Sequence, residues 1–285
     1  MNTATEFQNI DIQNKDLDDK TIALIGNSFA GKQAVKNAFM NLDRNAKVND
    51  WGNFIYDKEH YHVVDLPNIH SLTEHSAEEK TARDFLRFGG ADVVMVVCEA
   101  VYLERSLNLA LQIIEMTSGA IVCLNDVEGA RKKHIQIDIS RLERALGVPV
   151  AVIKEKDKNI SLLVKQIHSA VKRNQKVKPA VIRYIRPIEK AVSILEPSVK
   201  GLVGNQMNSR WVSLKLLEDG EVFIEELNSY IDEVILTGAE LFQKIAEAQK
   251  YLADCGIWGD IVHDNMVSCR ALTAEGICND CVRYQ

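Results

Sequence analysis

The sequence predicts an α/β protein, with a mostly parallel sheet covered by helices on both faces, followed by a smaller all-α part. Three observations carry that prediction. Near-continuous apolar runs such as TIALIG (21–26), ADVVMVVCEA (91–100) and AIVCLN (120–125) read as strands buried on both sides. Amphipathic stretches of helical period separate them, which is the connection that parallel strands require. Beyond about residue 178 the strand-like runs stop and only helical periodicity remains.

The elements follow in order. KTIALIG (20–26) is an apolar strand, and AGKQAVKNAFMNL (30–42) turns into a helix. YHVVDLP (61–67) is a strand that ends on Asp65 at a turn, and TARDFLRFG (81–89) is a helix. ADVVMVVCEA is a fully buried strand, LERSLNLALQIIEMT (103–117) a helix and AIVCLN the next strand. A helix around ISRLERALG (139–147), the strand VPVAVI (148–153) and the helix ISLLVKQIHSAVKR (160–173) complete the alternation. IEKAVSILEPSVKGL, RWVSLKLLEDG and the stretch from VFIEEL to CGIW are helical. Pro179 marks the boundary. The expected division is a polar extension over 1–19, the α/β domain over 20–177 and a helical domain with a Cys-containing tail over 178–285.

Composition narrows the function classes. The 285 residues are 46% hydrophobic and 26% charged, as in a globular protein, and the formal net charge is -6. The single concentrated basic stretch, VKRNQKVK (171–178), reads as a solvated helix end and linker, so nucleic acid is not an expected partner. The polar, acidic start lacks the charged and apolar regions of a signal peptide. No window reaches the roughly eighteen apolar residues of a membrane span. The chain is therefore expected to be cytoplasmic, free or at the cytoplasmic face of a membrane. Cys98 and Cys123, inside apolar strands, read as small buried hydrophobes.

The first strand and helix enclose G-x-x-x-x-G-K: Gly26, Asn27, Ser28, Phe29, Ala30, Gly31, Lys32. In a P-loop the backbone N–H groups and the helix N-terminus wrap phosphates, glycines permit the backbone path, and the Lys reaches the β- and γ-phosphates. Ala34 continues the cradle into the helix. Gln33 stands where Ser or Thr binds Mg²⁺, so Mg²⁺ binding is doubtful; an amide oxygen could ligate a cation only on a longer arm. Asp65 lies where the metal-holding Asp of such a site belongs. Asn125, with Glu128 three residues on, resembles the guanine-reading N-K-x-D pattern, although Glu is one methylene longer than Asp.

Further stretches carry a family resemblance. ALIGN, DWGNF, VDLPNIHSL, AEEKTARDFL, ADVVMVVCEAVYLERSLNLALQIIE, IQIDISRLERALGVPV and RWVSLKLLEDGE are similar to the N-terminal cytosolic region of FeoB-type ferrous iron transporters. The similarity runs from about residue 20 to about 265. It implies a Ras-like G domain followed by a helical regulatory domain, with GDP or GTP as ligand and a membrane transporter domain, or another protein, as partner. A second copy of the chain is a further candidate partner. The departures are several. The resemblance implies an Asn for a monovalent cation at Phe29 and a Mg²⁺-binding hydroxyl at Gln33. It implies a switch Thr which alignment through DWGNF puts at Ile55, a γ-phosphate-reading Gly at Asn68, and a guanine-binding Asp at Glu128. The segment that backs the base falls near Ile153 and Lys154. No catalytic residue is therefore assigned, and the expected activity is a regulatory module with impaired or absent GTP hydrolysis. The alternative is a pseudo-GTPase scaffold, or a metal-responsive interaction protein using its Cys-rich tail.

Two further clusters remain. His60 and His62 lead into a strand, while His70 and His75 fall in the second-switch region; the four read as solvated loop histidines, with a metal or proton-sensing role as the alternative. Cys278 and Cys281 have C-x₂-C spacing, with Cys269 as a third candidate ligand. That pattern fits a zinc or iron–sulfur site, a redox dithiol, or free cysteines packed in helices.

Overall fold

The computed structural model describes residues 19–40, 52–72, 77–88, 90–153, 161–173, 179–204, 207–230 and 239–285. The chain divides into two compact units, one formed by the chain through Ala180 together with Ala274–Gln285, the other by Val181–Thr273.

In the first unit the elements are β1 (Lys20–Gly26), α1 (Lys32–Met40), β2 (Asn53–Tyr56), β3 (Glu59–Asp65), α2 (Ala77–Phe88), β4 (Val93–Glu99) and α3 (Leu103–Met116). They continue with β5 (Ala120–Asn125), α4 (Val127–Lys132), β6 (Ile135–Ile137), α5 (Ile139–Leu146), β7 (Val150–Val152) and α6 (Ser161–Arg173). The main sheet has the order β2-β3-β1-β4-β5-β7, parallel except for β2. β1 is central, and Ile22, Ala23, Leu24 and Ile25 are all fully buried because helices cover both faces. On one face Ile22, Leu24, Met95, Val97, Ile121 and Cys123 pack with Val35 and Phe39 of α1 and with Leu163 and Ile167 of α6. On the other, α3 lies against β4 and β5. Cys98 and Cys123 are wholly buried strand residues.

β2, four residues long, is too short to announce itself as a strand. It exists because Asp57 and Lys58, both at positive φ, make a two-residue turn that folds it onto β3. Phe54 then stacks on Tyr61 at 4.9 Å between ring centroids. This hairpin holds one position singled out in the sequence. Ile55 sits within β2 opposite His60, on the outer edge strand, two strands away from β1. The position that alignment through DWGNF gives to the switch Thr is thus a strand residue. The connection over 41–51 lies outside the described residues.

The second unit contains α7 (Arg186–Val203), α8 (Ser209–Glu218), α9 (Glu221–Tyr230), α10 (Ala239–Asp254) and most of α11 (Asp260–Cys281). α7 packs on α8 and α10. Asn208 caps α8, its side-chain oxygen accepting from Trp211 N at 3.1 Å. Arg210 grips both oxygens of Glu189 at 2.8 Å, a bidentate pair that ties α8 to α7.

The C-terminus differs from a purely helical tail. α11 runs without a break to Cys281, and a last strand, β8 (Val282–Tyr284), pairs antiparallel with β6. Asp138 N donates to Cys281 O at 2.8 Å and Gln285 N to His134 O at 2.9 Å, so Ala274–Gln285 belong to the first unit. Among the described residues no helix is long and apolar enough to cross a membrane.

Candidate functional site

The site is assembled at the carboxyl ends of β1, β3 and β5, where open α/β sheets place ligands. β1 ends on Gly26, whose Cα faces the Val97 carbonyl; an added Cβ would come within 2.9 Å of that oxygen. The loop then closes on itself, Ala30 N donating to Asn27 O at 3.0 Å. Gly31 enters α1 with φ +83°, a left-handed conformation, and an added Cβ there would fall on the Asn125 amide. Asn125, at the end of β5, donates its side-chain N–H to Ala30 O at 3.2 Å. The loop is thus braced by the neighbouring strand while Ala34 N closes the first turn on Gly31 O at 2.9 Å. Beside it lies a cavity of about 290 Å³ with Asn27, Phe29, His70, Tyr102 and Arg105 among its lining residues. Phe29 is 82% exposed, a large apolar ring standing free on a phosphate loop.

The charges are arranged around Asp65. The Lys32 ammonium lies 3.0 Å from one carboxylate oxygen and also donates to the Leu66 carbonyl. The Lys36 ammonium, one turn further along α1, pairs with the other carboxylate oxygen. Burial pushes the Lys32 ammonium below the usual lysine range, the Asp65 charge opposes that, and Lys36 adds to it. Leu66 N and Ile69 N donate to Leu24 O and Gly26 O, at 3.0 and 3.3 Å, which fixes the turn after Asp65 against the phosphate loop. Asn68 is exposed in that turn.

P-loop folds of this type imply Mg²⁺, held by the hydroxyl after the Lys and by the strand-end Asp. The donor set here does not fit it. Gln33 carries no hydroxyl and turns away along its own helix, its amide N–H donating to Asn37 Oδ1 at 2.9 Å. Asp65 is already flanked by two ammonium groups. Lys36 is the residue that sequence reasoning missed; its i,i+4 spacing from Lys32 on one helix face was the available signal.

The residues expected to read the base are only partly brought together. Asn125 braces the loop as described. Asp126 takes a left-handed conformation and caps α4, accepting from Gly129 N at 3.1 Å. Glu128 is exposed in the first turn of α4 and pairs with Arg131 at 2.9 Å. Ile153 is buried, and Lys154 lies outside the described residues.

The histidines do not form one solvated loop. His62 is 4% exposed within β3, with Nδ1 2.6 Å from Asn53 Oδ1. His70 reaches Ser28 of the phosphate loop at 3.3 Å, His60 stands near Asp19, and His75 lies outside the described residues. The tail cysteines are not convergent either. Among the described residues no three His, Cys, Asp or Glu side chains are grouped to hold a metal. The physical reason is α11: on one continuous helix, Cys269 lies about 13 Å from Cys278 at ~1.5 Å rise per residue. Cys278 and Cys281 are buried free thiols, Cys269 half-buried and Cys255 exposed. Burial pushes the Cys278 thiol up to about 12.

Sheet order, phosphate loop and strand-end Asp and Asn define a P-loop G domain joined to a helical domain. The family model described as "Ferrous iron transport protein B" matches residues 20–167, and that described as "FeoB cytosolic helical domain" matches residues 184–283. The chain belongs to the FeoB family, whose business is ferrous iron transport. It is 29% identical over 217 residues to a protein named Fe(2+) transporter FeoB from Salmonella typhimurium, covering 71% of this chain and 27% of that one. A relative of the same name from Escherichia coli is 28% identical over 252 residues, covering 82% and 31%. The chain thus spans less than a third of the length of these relatives. Among solved structures it resembles the cytosolic domain of T. maritima FeoB in a GDP form, with TM-score 0.69 and 24% identity over 94% of this chain and 100% of that one. It also resembles an S. thermophilus NFeoB mutant bound to GDP, with TM-score 0.70 and 25% identity over 93% and 100%.

Proposed function

We propose that this chain is the nucleotide-binding regulatory module of a FeoB-type ferrous iron transport system, acting at the cytoplasmic face of the membrane. It binds guanine nucleotide, GDP foremost, and has impaired or no GTP hydrolysis. Its partner is a membrane transporter domain. The observation that carries this reading is the state of Asp65, enclosed by Lys32 and Lys36 while Gln33 bonds to its own helix. The diphosphate cradle of Gly26, Asn27, Ser28, Ala30, Gly31, Lys32, Gln33 and Ala34 keeps its turn and its brace from Asn125. GDP is the ligand named for the T. maritima and S. thermophilus relatives, which supports the same class of ligand here.

The groups that act on the γ-phosphate are the ones missing. Phosphoryl transfer is driven by positioning and by charge stabilisation in the transition state. Removing one such contact costs about 3 kcal/mol. Loss of the metal-binding hydroxyl, of an uncommitted Asp65 and of a glycine's backbone freedom at Asn68 compounds to little turnover, even with non-additivity. Calorimetric titration with GDP and with a non-hydrolysable GTP analogue tests this, alongside a phosphate-release assay. GDP binding with no gain for the analogue, no turnover, and loss of binding in Lys32→Ala is the expected result. Gln33→Thr alone leaves hydrolysis off, because Lys36 still engages Asp65. Metal-dependent turnover by the unaltered protein would overturn the proposal. Absence of any nucleotide binding would leave a pseudo-GTPase scaffold.

A further inference from the structure

The poor fit of the site to Mg²⁺ has a counterpart in Lys36. We propose that the Lys36 ammonium supplies to the diphosphate of a bound nucleotide the positive charge that a divalent cation supplies in related sites, so that binding needs no metal. This rests on the reading that the site binds guanine nucleotide.

The geometry is specific. β3 lies parallel to β1 with Asp65 opposite Leu24, so its carboxylate stands at the sheet edge where the phosphate loop leaves β1. Lys32 and Lys36 reach that carboxylate from one face of α1, one to each oxygen. In a metal-dependent site the same carboxylate anchors the ion, usually through water. The cation next to Asp65 is here a covalently tethered one. A divalent ion would have to displace an ammonium and then lie against it, with like charges opposed in a site where Lys32 is already largely desolvated. It would also lack the hydroxyl that completes its shell, since position 33 offers an amide bonded to Asn37.

The arrangement also explains how Lys32 is released. To contact phosphate it must leave Asp65 and the Leu66 carbonyl. Without a second cation, that movement would strand a half-buried carboxylate beside a polyanion. Lys36 prevents this by staying on Asp65. An ammonium has three donors, enough to keep the carboxylate and reach a phosphate oxygen.

Binding of a fluorescent GDP derivative to the full chain decides the matter, measured in EDTA and in excess Mg²⁺. The unaltered protein is expected to bind equally well in both. Lys36→Met keeps the stem and removes the charge; it is expected to weaken binding in EDTA about tenfold or more. Mg²⁺ restores part of the loss, because Asp65 is then open to the ion. Lys36→Arg retains binding in EDTA. Binding by the unaltered protein that requires Mg²⁺ overturns the inference and leaves the nucleotide reading intact. This arm stands even where the Met variant fails to fold. Metal-free binding that is unchanged in Lys36→Met overturns the role of Lys36. No binding in either buffer overturns the nucleotide reading itself, and the inference with it.

Discussion

Replacing Glu218 with Gln tests how the helical unit is held. Glu218 ends α8 with its side chain 2% exposed, surrounded by Lys215 at 2.7 Å, His263 at 2.7 Å and Arg270 at 4.0 Å. Lys215 and Arg270 are themselves only 7% and 5% exposed, so the cluster lies out of solvent. Removing one charge of a buried cluster costs about 3–5 kcal/mol, since the remaining charges are left uncompensated. Two features place this case at the lower end. Asp219 still accepts from Lys215 at 2.6 Å, and His263 is 39% exposed. The expected loss is about 3 kcal/mol. Urea unfolding followed through the fluorescence of Trp211, buried edge-on against Phe223, reads it. The pH dependence adds a second arm. Burial alone would raise the Glu218 carboxyl, but Lys215, Arg270 and His263 together hold it below the usual carboxylate range. A depressed folded value means the contribution is complete above the ordinary carboxylate range and is lost as pH falls through the folded value. The gap between the two proteins should therefore close in strong acid. A loss below about 1 kcal/mol at neutral pH, as for an exposed pair, would refute the reasoning.

Gly31→Ala forces a side chain into a left-handed conformation and displaces the Asn125 amide from Ala30, so a loss of about 2–3 kcal/mol is expected for the first unit. Urea unfolding at an unchanged midpoint would contradict it. Thiol titration with a chromogenic disulfide should label Cys255 first, then Cys269, with Cys98 and Cys123 reacting only on unfolding. Burial pushes the Cys123 thiol up to about 12, and Zn²⁺ should not protect Cys269, Cys278 and Cys281 as a set.

What the sequence displayed clearly was whatever depends on burial. The runs that became β1, β4 and β5 are apolar because both faces of a parallel sheet are covered, and nothing shorter than a strand needed to be guessed. β2, β6 and β8 escaped notice for the opposite reason. They are edge strands of three or four residues, defined by pairing and by turn geometry at Asp57 and Lys58 rather than by apolar content. That Gly26, Gly31, Lys32, Asp65 and Asn125 would lie together was legible because the strand–loop–helix context constrains them. Glu128 was legible as a letter but not as a contact: its pairing with Arg131 depends on where α4 begins. The C-x₂-C spacing left three readings open: on α11 Cys278 and Cys281 stay within one turn of each other, while the rise of the helix carries Cys269 away from them.

Lys36 changes what the substitution of Gln33 means. A divalent ion arrives with the nucleotide and leaves with it, so its loss weakens binding and opens the site. A lysine on α1 does neither. On the proposed role of Lys36, with its charge built into the helix, affinity for a diphosphate would no longer rise and fall with metal, and the cation could not bridge to a third phosphate by changing its shell. Asn68 lies where the resemblance implies a glycine, and a side chain there limits how closely the backbone N–H can approach that phosphate. Both changes favour one nucleotide state over an exchange between two. The expectation is a module whose bound form is set by guanine nucleotide concentration rather than by hydrolysis, and metal-independent GDP binding is the property from which that follows.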